Sequence, residues 1–140
     1  MPEFTTHSEQ ETRALAKQFV ETLHGGELIE LVGDLGAGKT TFVRGVVEAL
    51  GASVRVKSPT FTVMNEYPVA GDHGIKTIAH LDLYRFKTPD ELEALELRDY
   101  QRPDTAIFVE WPNIFGESVF QDAKRVTFES IDESTRKIAW

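Results

Sequence analysis

GDLGAGKT, residues 33–40, matches the pattern G-x-x-x-x-G-K-[ST] at every fixed position. Glycines allow backbone angles closed to other residues, so successive N–H groups can point at phosphate oxygens. Lys39 places a positive charge on the β- and γ-phosphates of a nucleotide, and the Thr40 hydroxyl can ligate Mg²⁺. The stretch therefore predicts a phosphate-binding loop, in which Asp34 and Leu35 have conformational roles.

The flanking sequence favours the same interpretation. Residues 27–32 are nearly continuous in apolarity, which predicts a strand covered on both faces. Residues 40–50 predict a helix that ends at Gly51. The positive end of that helix would face a bound anion. Strand, loop and helix in this order are typical of the nucleotide-binding unit of an α/β fold.

Two further strands end in an acid. Residues 106–109 are apolar and precede Glu110, and residues 78–81 precede Asp82. Phosphoryl-transfer enzymes with this loop hold their metal through the loop hydroxyl and an acid at a neighbouring strand end. One acid could hold the metal through water while the other orients the attacking water. Spacing does not assign these roles, and each carboxylate could instead face solvent.

The other elements complete an α/β arrangement. Ser8-Glu9-Gln10-Glu11 has capping-box spacing, and Leu15, Phe19 and Leu23 form an apolar stripe on a helix that Gly25-Gly26 would end. Strands are predicted at 54–57, 61–69, 75–83 and 105–109, a helix at 88–97, and a terminal hairpin at 126–130 and 136–140. We predict a three-layer α/β domain with a mixed sheet, spanning residues 1–140 as one P-loop NTPase-like unit.

Composition excludes several classes of protein. The 140 residues include 15 bases and 23 acids, a formal charge of −8, which disfavours unaided nucleic-acid binding. There is no cysteine, so disulfide scaffolds, thiolate metal sites and cysteine nucleophiles are excluded. Apolar runs are shorter than the ~18 residues of a membrane span, and residues 1–10 lack the pattern of a signal peptide. We expect a cytoplasmic protein.

Some conspicuous residues have ordinary interpretations. The histidines, among them His80, show no metal-binding spacing, which disfavours a transition-metal site. Trp111, Phe108 and Phe115 are interpreted as core residues. Basic residues near the loop could form a local patch; they are Arg44, Arg55 and Lys57.

Four motifs in this order resemble one family. They are GDLGAGKTT at 33–41, Ser58-Pro59-Thr60-Phe61, His80-Leu81-Asp82-Leu83-Tyr84-Arg85, and Glu110-Trp111. The set is similar to that of the TsaE family, small P-loop ATPases that act in making threonylcarbamoyladenosine in tRNA. The resemblance extends from about Ser8 to the C-terminal hairpin. It departs from the family at Asn113, where an acid is common.

The resemblance implies roles for individual residues. Thr40 would ligate Mg²⁺, Glu110 would complete the metal site, and Asp82 would act with Lys39 in catalysis by orienting water near the γ-phosphate. Thr60 would sense the γ-phosphate from a switch-like turn. The nucleotide contacts implied are those of Glu9, Gly33, Leu35, Gly36, Ala37, Gly38, Lys39, Thr40, Thr41, Thr60 and Arg136.

The resemblance also implies a function and partners. It indicates a Mg²⁺-dependent ATPase, weak alone, that resets a complex of TsaD and TsaB between turnovers and meets tRNA only through that complex. A P-loop small-molecule kinase is the alternative, although 140 residues leave little room for a lid. A nucleotide-gated binding module without turnover is a further possibility. No N/T-K-x-D motif is present to select guanine, which disfavours a GTPase.

Overall fold

A computed structural model describes residues 2–34, 36–52, 56, 63–70, 72–116, 120 and 123–140 of the chain. Every strand of this part joins one seven-stranded sheet, in the order β1-β7-β6-β2-β5-β4-β3. The strands are β1 (Glu3–Thr6), β2 (Leu28–Val32), β3 (Met64–Pro68), β4 (Thr77–Asp82), β5 (Thr105–Glu110), β6 (Lys124–Ser130) and β7 (Arg136–Ala139). The helices are α1 (Glu9–Val20), α2 (Lys39–Ala49) and α3 (Pro89–Ala94).

The middle of the sheet is parallel and its edges are antiparallel. β6, β2, β5 and β4 run in one direction, whereas β3 pairs antiparallel with β4, and β7 with both β6 and β1. The mixed sheet predicted from the sequence is thereby confirmed. Since ligands of open α/β sheets bind at the carboxyl ends of parallel strands, the ends of β2, β4 and β5 define the edge where a site is expected.

One face of the sheet is covered by α1 and α2. Their apolar stripes meet the sheet in a cluster rich in aromatic rings, with Phe42 lying 5.5 Å from Phe19 and 5.4 Å from Phe128 between ring centroids. Trp140, the last residue, packs edge-on against Phe19 at 5.3 Å. This packing holds α2, and with it the end of the phosphate-binding loop, firmly against the sheet.

The opposite face carries a thinner layer. Ala79, Leu81 and Val109 belong to a second buried cluster there, covered by partly buried side chains that include Leu92 of α3 and Leu95, which directly follows that helix. No residue of α3 is fully buried. Helices, sheet and this thinner layer make the three layers that were predicted.

Boundaries differ from the sequence predictions in a few places. α1 begins after Ser8 as predicted, and the Ser8 hydroxyl accepts the Glu11 N–H at 3.1 Å. It ends at Val20 rather than at Gly25. The next N–H groups bond to carbonyls three residues back instead of four, and the Thr22 hydroxyl donates to the Phe19 carbonyl at 2.7 Å. The edge strand β1 was not predicted, and α3 is shorter than the predicted helix 88–97. The predicted strand 54–57 falls mainly outside the described residues.

No helix in the described part of the chain is long and apolar enough to cross a membrane. The cytoplasmic location expected from the sequence stays a prediction.

Candidate functional site

The phosphate-binding loop connects the central strand β2 to α2, and glycine is needed at each of its two ends for a different reason. Gly38 caps α2 with φ +103°, a left-handed conformation that favours glycine, and no side chain caps the helix there. The first N–H groups of α2 therefore keep their capacity to bind an anion. Gly33 is needed for close packing instead, because a Cβ there would lie 2.7 Å from the Phe128 carbonyl oxygen.

The Lys39 side chain turns back along the loop. Its Nζ donates to the Gly33 carbonyl at 2.7 Å and lies 3.8 Å from the centroid of the Trp111 ring. Lys39 is only 4% exposed, and this burial lowers the pKa of its amine, against the opposing effect of Glu110, Asp82 and Asp34. The loop thus presents a largely desolvated cation, which interacts strongly with phosphate because little water screens it.

The Glu110 carboxylate lies at the end of β5, where two donors converge on one of its oxygens. Oε2 lies 2.5 Å from His80 Nε2 and accepts the Thr40 hydroxyl at 3.1 Å. Burial alone would raise the pKa of Glu110, but the bond from His80, the charges of His80 and Lys39, and the Thr40 bond together hold the pKa below its usual value. Glu110 is therefore an ionised, oriented acid.

Asp82 lies beside Glu110 at the same edge of the sheet. The two residues are register partners at the ends of the parallel strands β4 and β5, so both side chains leave the same face. Asp82 is 6% exposed, and its Oδ1 accepts the Tyr84 N–H at 2.8 Å. Two neighbouring parallel strands thus bring two acids next to the phosphate-binding loop.

A cleft of about 580 Å³ joins these elements. Most of the predicted site residues line it together: Glu9, Gly36, Gly38, Lys39, Thr40, Thr41, Asp82, Glu110 and Arg136. Gly33 and Ala37 belong to the loop but lie behind this lining, with Ala37 fully buried. Leu35 and Thr60 lie outside the described residues, as does the turn 58–61.

The donor set suits a hard divalent cation. Thr40 gives its hydroxyl hydrogen to Glu110, which leaves the oxygen lone pairs for a metal. Among the described residues no three His, Cys, Asp or Glu side chains cluster as a metal cage. Mg²⁺ does not need such a cage, because it is commonly held by one or two protein oxygens, water and substrate phosphates. Thr40 and Glu110 thus fit Mg²⁺ brought with a nucleotide.

Comparison with known proteins assigns the chain to a family. The family model described as "Threonylcarbamoyl adenosine biosynthesis protein TsaE" matches residues 6–138. The chain belongs to the TsaE family. The resemblance drawn from the four sequence motifs is confirmed.

Individual relatives agree over most of their length with this TsaE-family chain. The tRNA threonylcarbamoyladenosine biosynthesis protein TsaE of Bacillus subtilis is 36% identical over 135 residues, 96% of this chain and 82% of the relative. The protein of the same name from Streptomyces coelicolor is 38% identical over 118 residues, 84% of this chain and 78% of the relative. The crystal structure of Bacillus subtilis YdiB superposes with a TM-score of 0.74 at 30% identity, covering 98% of this chain and 82% of that one.

In this TsaE-family chain, Arg136 has a structural contact that the sequence did not predict. Its guanidinium donates to the carbonyls of Asp132 at 2.6 Å, Thr135 at 3.0 Å and Gly36 at 3.2 Å. Arg136 therefore ties the β6–β7 turn to the phosphate-binding loop. Its expected contact with a nucleotide stays a prediction, as does that of Glu9.

Sequence reasoning missed three side chains of the site. Trp111 was interpreted as a core residue, but it is half-buried, lines the cleft and covers Lys39. Tyr84 lies 5.0 Å from Trp111 between ring centroids and is 53% exposed. His80 lacks metal-ligand spacing, but it contacts Glu110 directly. Their neighbours were a usable signal, since His80 and Tyr84 flank Asp82, and Trp111 follows Glu110.

Proposed function

We propose that the protein hydrolyses Mg²⁺-bound ATP and thereby resets the TsaB–TsaD complex between turnovers of tRNA threonylcarbamoyladenosine formation. The names of its relatives assign those proteins to the biosynthesis of this nucleoside. The observation that carries the ATPase proposal is the convergence of Lys39, Thr40, Asp82 and Glu110 on one cleft.

Each of these side chains has a task in the proposal. The loop N–H groups and Lys39 bind the phosphates and stabilise the negative charge that develops during transfer. Thr40 and Glu110 hold Mg²⁺, which neutralises charge on the β- and γ-phosphates when bound. Asp82 orients the attacking water. The ionised state of Glu110 supports its metal role, because a carboxylate must be deprotonated to attract a cation.

The charges around the cleft favour hydrolysis over phosphate transfer to a small molecule. A kinase of this size needs arginines that close over the phosphates and exclude water. Among the described lining residues the basic side chains are Lys39 and Arg136, and the Arg136 guanidinium is engaged with backbone carbonyls. The formal charge of −8 further supports docking on a protein complex that holds the tRNA rather than direct tRNA binding.

The test measures phosphate release from ATP by the purified chain, with and without a TsaB–TsaD pair and with Lys39→Ala as the inactive control. We expect slow Mg²⁺-dependent hydrolysis that the pair accelerates, and repeated rounds of tRNA modification only when the active chain is present. A requirement for a small-molecule acceptor would instead support the kinase. Absence of hydrolysis under both conditions would contradict the proposal.

A further inference from the structure

His80 is a fully buried polar residue whose environment is otherwise that of a core position. It lies on β4 between β3 and β5, and its register partner on β5 is Phe108. Its Nε2 contacts Glu110, whereas its Nδ1 has no hydrogen-bond partner among the described residues. A buried polar atom without a partner costs folding free energy that an apolar side chain would not. Packing alone therefore does not account for a histidine here.

The contact of His80 with Glu110 accounts for a histidine at this position. His80 lies two residues before Asp82 on β4, so its side chain is on the same face as the Asp82–Glu110 pair and its ring reaches diagonally along the sheet to the carboxylate. An ionised carboxylate can only accept, so Nε2 carries the hydrogen. His80 and Thr40 both donate to Oε2. Two donors on one oxygen fix the rotation of the carboxylate, and no hydrogen bond to Oε1 is found in the described part of the chain.

We propose that His80 is a positioning residue that orients Glu110 so that its carboxylate can serve Mg²⁺ brought with the nucleotide. The inference rests on the proposed function, because it assigns a partner to the metal-binding acid of that site. His80 itself touches neither metal nor nucleotide. Removing the hydrogen-bond partner of a metal ligand typically lowers the metal affinity by about 10- to 100-fold.

Three variants separate this role from packing. His80→Gln keeps an amide N–H at about the reach of imidazole Nε2, His80→Met fills similar volume without a donor, and Glu110→Gln removes the carboxylate charge. Calorimetry measures the affinity for a non-hydrolysable ATP analogue with and without Mg²⁺. In His80→Met we expect the gain in affinity from Mg²⁺ to fall about tenfold or more, with Mg²⁺-free affinity unchanged. His80→Gln should restore most of the gain.

A double-mutant cycle decides whether His80 acts through Glu110. In the Glu110→Gln background, His80→Met should cause little further loss, because the charge that it orients is already gone. An undiminished effect of Mg²⁺ in folded His80→Met, or a full additional loss in the Glu110→Gln background, would overturn the inference. If Mg²⁺ fails to strengthen nucleotide binding even in the wild type, the proposed function itself is contradicted.

A measurement on the wild type covers the case in which His80→Met does not fold. Long-range ¹H–¹⁵N NMR of the imidazole reports which nitrogen carries the hydrogen. We expect the hydrogen on Nε2 with a strong hydrogen bond, as the contact with Glu110 requires. A ring protonated on Nδ1 alone would refute the arrangement without any variant.

Discussion

Lys39 illustrates how a single side chain is prepared for phosphate. Its amine is buried, bonded to the Gly33 carbonyl and covered by the Trp111 ring. Burial lowers the pKa of the amine, and the nearby carboxylates oppose that effect. A phosphate group would add opposite charge at this position, so it would stabilise the protonated amine further.

Replacing Lys39 by Ala removes this charge. We expect phosphate release to fall by about 10²- to 10³-fold, because a preorganised charge facing the transferred phosphoryl group is lost. Lys17→Ala, on the exposed side of α1, is the matched control and should keep full activity. Circular dichroism should show the same fold in both variants. Wild-type turnover in folded Lys39→Ala would show that the cleft is not the active site.

Substitutions of the two strand-end acids should affect different steps, Mg²⁺-dependent nucleotide binding in one case and turnover in the other. Glu110→Gln should weaken the dependence of nucleotide binding on Mg²⁺, because the carboxylate charge at the metal position is gone. Asp82→Asn should keep Mg²⁺-dependent binding and lose turnover, since the amide still accepts the Tyr84 N–H but is a poor base. Titration of nucleotide binding against Mg²⁺, combined with single-turnover kinetics, distinguishes them. The opposite pattern would mean that the two roles are exchanged.

At the scale of elements, α1 and α2 cross closely at Gly45. A Cβ on Gly45 would lie 2.6 Å from the Arg13 carbonyl oxygen and 2.7 Å from the Arg13 Cα, both backbone atoms of α1. Such contacts cannot be relieved by rotating a side chain. The two helices must therefore move apart if a larger residue is introduced.

Gly45→Ala tests this crossing because its expected effect on the free energy of unfolding is opposite in sign to that of most Gly→Ala substitutions in helices. In most helices Gly→Ala stabilises by about 0.5–1 kcal/mol, whereas here we expect destabilisation by roughly 1–3 kcal/mol. Chemical denaturation measures the free energy of unfolding. Glu48→Ala, an exposed position on the same helix, serves as the control and should change stability much less. A stabilised Gly45→Ala variant would show that the helices do not pack this closely.

The turn between β6 and β7 depends on Asp132. Its Oδ1 accepts the N–H groups of Ser134 at 3.0 Å and Thr135 at 2.9 Å, and the backbone bond from Ser134 is the largest cause that lowers the pKa of Asp132. A carboxyl group whose pKa is lower in the folded chain stabilises the fold at pH values above its ordinary pKa near 3.8. This contribution is lost as the pH falls through the lowered pKa.

Asp132→Ala should therefore lower the unfolding temperature near neutral pH, and its difference from the wild type should shrink as the pH falls from about 5 through the folded-state pKa, which lies below 3.8. Asp132→Asn keeps an acceptor oxygen, so its unfolding temperature should lie between those of Asp132→Ala and the wild type. Glu129→Gln on β6 removes an exposed charge as a control. A difference that does not change with pH would mean that ionisation of Asp132 does not stabilise the turn.

At the scale of the whole molecule, the cleft is assembled from both ends of the chain. Ser8 and Glu9 line it beside α2, and Glu133, Ser134 and Arg136 line it from the last hairpin. A ligand bound there contacts segments that are adjacent only in the folded state. Nucleotide binding should consequently stabilise the whole fold by mass action.

A thermal-shift experiment measures this coupling. At a concentration of about 100 times Kd, a non-hydrolysable Mg²⁺–ATP analogue adds about 2.7 kcal/mol of stability. With an unfolding entropy of about 2.1 cal/mol/K per residue, Tm should rise by roughly 9 °C for 140 residues. Lys39→Ala should show a much smaller rise. Equal shifts in both proteins would indicate binding elsewhere.

Local sequence determined much of this protein. The glycine pattern and Lys39 in 33–40 specify a phosphate-binding loop, because the chemistry of that loop depends on neighbouring residues. The apolar run before Glu110 and the Ser8 cap of α1 likewise depend on short-range pattern, and both were predicted. The edge strand β1 was missed because its pairing with β7 joins residues at opposite ends of the chain.

Tertiary structure decided how the side chains meet. The contact of His80 with Glu110, the cover of Trp111 over Lys39 and the link from Arg136 to Gly36 each join distant positions. Strand order and register determine these contacts, and neither can be read from the spacing of residues along one chain. The sequence therefore determined which groups the site could use, and packing of the sheet decided which of them touch.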